Sequence, residues 1–353
     1  MPLCVCRPFH AALDAQCEKK LRAAILKVRN MANRRVEEEI ERLGHLSPDC
    51  AAPALKKALA DRVGLVVAKA AKVAAALELR ELVPDLLRAF DRLFERASER
   101  DPQCWAKNAI AKALVDLEHR ESDPYLRGAR WVQMEPVWGG QEDTASSLRG
   151  ICLLALPACF DARREDVFRA LVEGLTEPAQ TVRLECVRAI AEMGGDEAPL
   201  LLRLKARAGD AEPPVIGQVF DSLLKLEGRE AVPFAAAFLD SEKADVAAEA
   251  ALALGACRLA EAEEVLESAW HKTRNPDLRD VLVRAISASR QPRAFEFLFD
   301  IVKNGRAADA SMALDALAIH RQTPDIWRQL EAVVGDSGTT IQARFRELLN
   351  RDR

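Results

Sequence analysis

Histidine and cysteine are the residues through which a chain most often holds a metal or activates a nucleophile. This sequence of 353 residues contains 5 His and 9 Cys. The densest group lies at the start, where Cys4-x-Cys6, His10 and Cys17 offer four soft ligands. Zinc knuckles pair their ligands roughly two to four residues apart and repeat the pair further on. Cys-x-Cys is too tight for that, and the gap from His10 to Cys17 is irregular, so no metal site is expected. A dinuclear iron centre between helices needs recurring His-Glu pairs. Here His10, His45, His119, His271 and His320 are followed by Ala, Leu, Arg, Lys and Arg. His119, with Glu118 and Glu121 near it, has the residue types for acid–base work, but a solvated polar helix end accounts for it more simply. No G-x-S-x-G, Walker-type or G-x-G-x-x-G motif occurs. No catalytic, cofactor-binding or metal-binding residue is expected, and the chain is read as a non-enzyme.

The other cysteines belong to a different pattern. Cys104, Cys152, Cys159, Cys186 and Cys257 lie in or beside helical segments, and Cys152 and Cys186 take the same small apolar position. Cysteine there acts as a compact hydrophobe. With an odd count and no secretory signal at Met1–His10, reduced buried thiols are expected rather than a disulfide framework.

That small apolar position is one element of a repeat. An apolar or small residue is followed four, seven and eight positions later by others, as in Leu148/Cys152/Ala155/Leu156, Val182/Cys186/Ala189/Ile190 and Val246/Ala250/Ala253/Leu254. Further copies start at Val66, Ala106, Ile216, Leu278, Asp309 and Ile341. The starts lie 30 to 42 residues apart and mostly near 32. Such a period encodes helix, turn and helix, and predicts an all-α solenoid, a right-handed α-α superhelix of about nine to ten helical pairs with essentially no sheet. Asp101-Pro102, Glu177-Pro178, Pro213-Pro214 and Asn275-Pro276 precede first helices, where proline's missing N–H costs nothing. Gly194-Gly195, Gly228 and Gln291-Pro292 mark the turns to second helices. Lys107, Arg149, Arg183 and Arg279 share the second position of the frame, which predicts a ladder of basic side chains bonded to inter-repeat turns, with Asp101, Glu177 or Asp277 as acceptors.

Segments such as VRLECVRAIAEMGGDEAPLLLRL and VAAEAALALGACRLAEAEEVLESA resemble the short bacterial HEAT-like repeats also found in phycobilisome-lyase-type proteins. The resemblance covers roughly 60–350 and carries the V-R-x-x-A-x-x-A-L/I-G/A frame. It implies the HEAT/armadillo-like fold and, for function, mostly protein-binding scaffolds, with few enzymes.

The expected organisation is an N-terminal segment and capping helices over 1–60, then a repeat array over 61–353. A long charged helix is expected from Gln16 to Gly44, and Ser47-Pro48 starts the next. Residues 1–15 have weak periodicity and are expected to be disordered or to precede the true start, with Met31 as the alternative. No apolar run approaches the roughly 18–20 residues needed to cross a bilayer, so a cytoplasmic protein is expected. Residues 1–60 carry 11 Lys/Arg against 7 Asp/Glu, whereas 151–353 carry 26 against 33. An acidic array disfavours nucleic acid.

The array breaks once. Between Glu118 and Ser146 a second helix is replaced by HRESDPYLRGARWVQMEPVWGGQEDTA, which holds the only Tyr and two of the 5 Trp. Its prolines and glycines predict a non-helical insertion at about 121–145. Insertions in solenoids often carry binding. The predicted partner-binding residues are Tyr125, Arg127, Arg130, Trp131, Glu135, Trp138, Gly139 and Gly140, with the indoles as anchors and the arginines paired to acidic groups. The competing expectation is an internal plug, in which both indoles fill the space of the missing helix. A split is also foreseen, with Trp131 more buried and Trp138 more exposed. The expected function is a scaffold or adaptor that holds a protein or peptide on its concave face and the insertion, without cofactor or membrane. The alternative is an accessory lyase-like or chaperone subunit holding a small molecule or chromophore.

Overall fold

The computed structural model describes residues 34–46 and 48–350. The candidate ligand group Cys4, Cys6, His10 and Cys17, the two candidate starts, the front of the long N-terminal helix and the Ser47 cap lie outside the described residues. The chain divides into two compact units, Met1–Ala162 and Arg163–Arg353.

The first unit contains α1 (34–44), α2 (Pro48–Leu59), α3 (Gly64–Ala76), α4 (Val83–Leu93), a short α5 (Ala97–Arg100), α6 (Trp105–Asp116), α7 (Asp123–Ala129), a hairpin of β1 (Met134–Val137) and β2 (Gly140–Asp143), and α8 (Ser146–Ala155). The sequence of α3, GLVVAKAAKVAAA, is nearly all small or aliphatic, and it buries Val66, Val67, Ala70, Ala71 and Ala74. Small side chains let α3 lie close along α6, whose Ala106, Ile110, Ala113 and Leu114 face it from the buried side. The stripe Leu86, Ala89, Phe90 and Leu93 of α4 recurs every three to four residues and covers the pair from one side.

The second unit runs α9 (Arg164–Gly174), α10 (Gln180–Met193), α11 (Glu197–Ala208), α12 (Pro213–Glu227), α13 (Val232–Ala236), α14 (Ala244–Ala256), α15 (Ala260–Lys272), α16 (Pro276–Ser289), α17 (Pro292–Asn304), α18 (Ala307–Leu317), α19 (Pro324–Gly335) and α20 (Thr339–Asn350). Helices α10, α12, α14, α16, α18 and α20 lie side by side in that order, with α11, α15 and α17 packed against α10, α14 and α16. This is the stacking of the α-α superhelix class, HEAT/armadillo-like, read from the period. The prolines sit as expected, at or just before helix N-termini. Backbones of α14 and α16 come into close approach: a Cβ on Gly255 would lie 2.2 Å from the carbonyl oxygen of Ala285. Only glycine admits that spacing.

The basic ladder is present, with partners that differ from expectation. Lys107 reaches Asp101, as foreseen, at 2.9 Å with both side chains buried. Arg183 forks onto both carboxylate oxygens of Asp210 at 2.9 and 2.8 Å, and uses only the backbone carbonyls of Glu177 and Pro178. Arg279 pairs with Asp309, not Asp277, at 2.9 Å. Arg183 and Arg279 thus reach forward to a carboxylate of the following repeat, whereas Lys107 and Arg149 pair with carboxylates just before their own helices.

Two expectations are corrected. The fold contains a two-stranded antiparallel hairpin, register Met134↔Asp143 to Val137↔Gly140, where essentially no sheet was foreseen. The 121–145 insertion is also not wholly non-helical, since Asp123–Ala129 forms one short helix with Pro124 in its first turn, where proline is tolerated.

Candidate partner-binding edge of the first unit

The hairpin is anchored by a buried polar network with Gln133 at its centre. The Gln133 side-chain amide donates to the Asp101 carbonyl at 2.9 Å and its oxygen accepts from Trp131 Nε1 at 3.1 Å. Its backbone N–H donates to Asp143 at 3.0 Å, and its carbonyl accepts from Thr144 N at 3.0 Å. Glu135, the one inward residue of β1, accepts from the backbone N–H of Gln103 at 2.8 Å. Asp101 in turn accepts from the N–H groups of Ala106 and Lys107 at the start of α6, at 2.7 and 3.0 Å. The opening of α8 is held the same way: Asp143 accepts from Ala145 N at 3.0 Å and pairs with Arg149 at 2.6 Å. Burial works against ionising Asp143, but the backbone donors of Gln133 and Ala145 and the Arg149 guanidinium outweigh it and hold the carboxyl below its usual range.

The network also supports strained backbone. Gln103 and Cys104 are consecutive non-glycine residues in the left-handed region, at φ 57° and 54°, each costing roughly 1 kcal/mol. Cys104 is fully buried, and desolvation pushes its thiol up to about 11.

The eight residues expected to meet a partner do not act together. Tyr125 is buried and donates its hydroxyl to the His119 carbonyl at 3.0 Å; burial pushes its phenol upward. Glu135 is likewise turned inward. Neither is available to a partner, because α7 and β1 use these side chains to attach the insertion to the repeats. Arg127 is engaged within the unit, paired to Asp91 at 2.6 Å and stacked over Phe94 at 4.3 Å. Trp131 is half-buried, edge-on to Phe94 at 4.9 Å. Arg130 is exposed. Trp138, at the hairpin tip, is 99% exposed. Gly139 follows it at φ +93°, and with Trp138 makes the two-residue turn between Val137 and Gly140. The insertion is thus packed at its base and exposed at its tip, with Trp131 the more buried and Trp138 the more exposed of the two indoles.

Sequence reasoning missed the surface that adjoins the tip. Trp105, the first residue of α6, is 49% exposed. It stands between two clefts that share it and Gln103. One, of about 340 Å³, is mostly apolar and includes Val63, Gly64, Leu65 and Pro102. The other, of about 400 Å³, is polar and includes Asn108, Glu142, Ser146 and Ser147, with Pro136 and Val137 of the hairpin as its wall. On the outer side of β1, Val132, Met134 and Val137 are also exposed. A tryptophan just after Asp101-Pro102 was the one available signal.

Among known proteins, a model of HEAT repeats matches residues 231–318. HEAT repeats commonly mediate protein interactions. A comparison with curated proteins finds no match. Among solved structures, the chain is similar to one described as an engineered protein, with 14% identity over 89% of this chain and 98% of that one, TM-score 0.31. It is also similar to human deoxyhypusine hydroxylase in complex with glycerol, with 17% identity over 74% of this chain and 99% of that one, TM-score 0.28. Among the described residues, no helix is long and apolar enough to cross a membrane.

Proposed function

We propose that this chain is a non-enzymatic scaffold that holds a protein or peptide partner on the first unit's hairpin and the edge beside it, with the helical faces of the repeats as further contact surface. The observation that carries the reading is Trp138. A large aromatic ring stands fully in solvent on a hairpin whose base is fixed by buried hydrogen bonds. Exposing an indole has no stabilising return within the fold, whereas aromatic residues on rigid supports serve as interface anchors because little side-chain entropy is lost on binding. Gly140 lies beside it at the hairpin turn, and Arg130 is exposed at the end of α7. Nothing favours the chromophore-holding alternative.

The test places a photo-crosslinking amino acid at position 138 in the full chain and, as control, at Leu200, which is also well exposed. In the native host the first should trap one protein in near-stoichiometric yield and the second should not. Trp138→Ala should abolish co-purification of that protein while melting stays within about a degree. Equal trapping at both positions, or undiminished co-purification with Trp138→Ala, would refute the proposal.

A further inference from the structure

The paired clefts around Trp105 define the chemistry of the segment they fit. On one side the surface is mostly apolar, with Val63, Leu65 and Pro102 in its lining and the charged Arg62, Glu99 and Arg100 also bordering it. On the other it carries acceptors. Glu142 is exposed and makes no ion pair among the described residues. The Oδ1 atom of Asn108 is buried and has no hydrogen-bond partner there. No lysine or arginine lines this cleft. An anion is poorly suited to the site. The N-termini of α6 and α8, which open onto it, are already faced by the carboxylates of Asp101 and Asp143. A metal ion is also poorly served, since no group of three or more metal-ligating side chains forms among the described residues. A planar guanidinium meets each demand: it donates in several directions, neutralises Glu142, and stacks on an indole face such as the half-exposed ring of Trp105.

Resting on the partner-binding reading above, the geometry points to a linear segment of a partner protein, extended across the edge, with an apolar side chain in the Val63–Leu65 cleft and an arginine or lysine in the Asn108–Glu142 cleft. Trp105 separates the two side chains and contacts both. The occupant is fixed by charge complementarity on one side and apolar lining on the other.

The full chain is titrated, by fluorescence anisotropy, against fluorescein-labelled ten-residue capped peptides in a Gly/Ser background. Each holds one Leu and one Arg separated by one, two or three residues. Matched peptides replace Arg by citrulline, its neutral isostere, or Leu by Ser. At one spacing the Leu/Arg peptide should bind about tenfold more tightly than its citrulline counterpart, as expected for hydrogen bonds to a charged group. Glu142→Gln should reduce that ratio to about twofold while the preference for Leu persists, because the guanidinium then loses its charged acceptor and keeps only neutral ones. Trp105→Ala should remove both preferences, with melting of each variant checked beside wild type.

Absence of binding by every peptide, equal binding of Arg and citrulline peptides, or a citrulline ratio unchanged in Glu142→Gln would each overturn the inference. A second copy of this chain on the edge is the alternative occupant. It would appear as concentration-dependent self-association in sedimentation that Trp105→Ala abolishes, and that result would also overturn the peptide assignment. If the crosslink at position 138 still traps a protein when the peptide series fails, the scaffold reading stands and only the apolar–basic segment falls.

Discussion

The Arg183–Asp210 rung gives a stability prediction whose size and pH range follow from its geometry. Asp210 accepts from Arg183 Nε at 2.9 Å and Nη2 at 2.8 Å, from Lys205 Nζ at 2.7 Å and from its neighbour Glu212 N at 2.9 Å. Burial raises the cost of its charge, but these donors outweigh burial and hold the carboxyl at about 2, against 3.8 ordinarily. A shift of that size corresponds to about 2.5 kcal/mol, at about 1.4 kcal/mol per unit. The sign follows from the direction. A carboxyl depressed in the folded state stabilises fully above its unfolded value, and the contribution is lost as pH falls through its folded value. Asp210→Asn should therefore lower stability near neutral pH by about 2–3 kcal/mol, because Arg183 keeps its bonds to the Glu177 and Pro178 carbonyls at 2.7 and 2.8 Å and is not left bare. The difference between wild type and variant should hold from about pH 7 to pH 5 and then close between about pH 4 and pH 2. Urea unfolding followed by circular dichroism across that range measures it. A difference that stays constant down to about pH 2.5, or no difference at neutral pH, would refute the reasoning.

Three further outcomes test the packing. Gly255→Ala should cost about 3 kcal/mol in urea unfolding, since its new Cβ meets the Ala285 carbonyl at 2.2 Å and α14 must part from α16. Trp131→Ala should lower stability by about 2–3 kcal/mol, through loss of the Phe94 contact and the Gln133 bond, whereas Trp138→Ala should change it by less than about 0.5 kcal/mol. In native protein at neutral pH, iodoacetamide mapped by mass spectrometry should spare Cys104, Cys152 and Cys186, the last pushed up to about 12 by burial, and label all three in denaturant.

Most of the fold was legible because it is written locally. The positions that let α10, α12, α14 and α16 approach are small or aliphatic and recur every 30-odd residues, so periodicity alone exposes the helix pairs. The ladder's cations were legible for the same reason, but not their partners. Asp210 and Asp309 lie 27 and 30 residues beyond Arg183 and Arg279, and the choice of the following turn depends on side-chain reach. The hairpin was not legible. The segment Met134–Asp143 has little β-branched alternation, and holds Pro136, Glu135, Glu142 and Asp143, which are poor strand residues. What makes it pair is the turn at Gly139 together with contacts from Gln133 and Glu135 to residues some thirty positions earlier. Trp138 could be recognised as an unusual residue in an unusual loop. Trp105 gave only a weak signal, its place just after Asp101-Pro102, because an aromatic at the edge of an apolar frame looks like core until its helix start is seen to face solvent.

The link between Glu135 and the left-handed pair Gln103–Cys104 bears on how this chain can change over generations. The hairpin does not simply project from an intact repeat, since the turn before α6 leans on it for the Glu135 carboxylate that accepts from Gln103 N and for the Gln133 amide that donates to the Asp101 carbonyl. A descendant that lost the insertion would keep the strained turn and lose what steadies it. Removing the hairpin is therefore not a neutral trimming, because the turn keeps its left-handed pair and loses both hairpin bonds that hold it. Its tip, which touches nothing else, stays free to vary and to be fitted to a new partner.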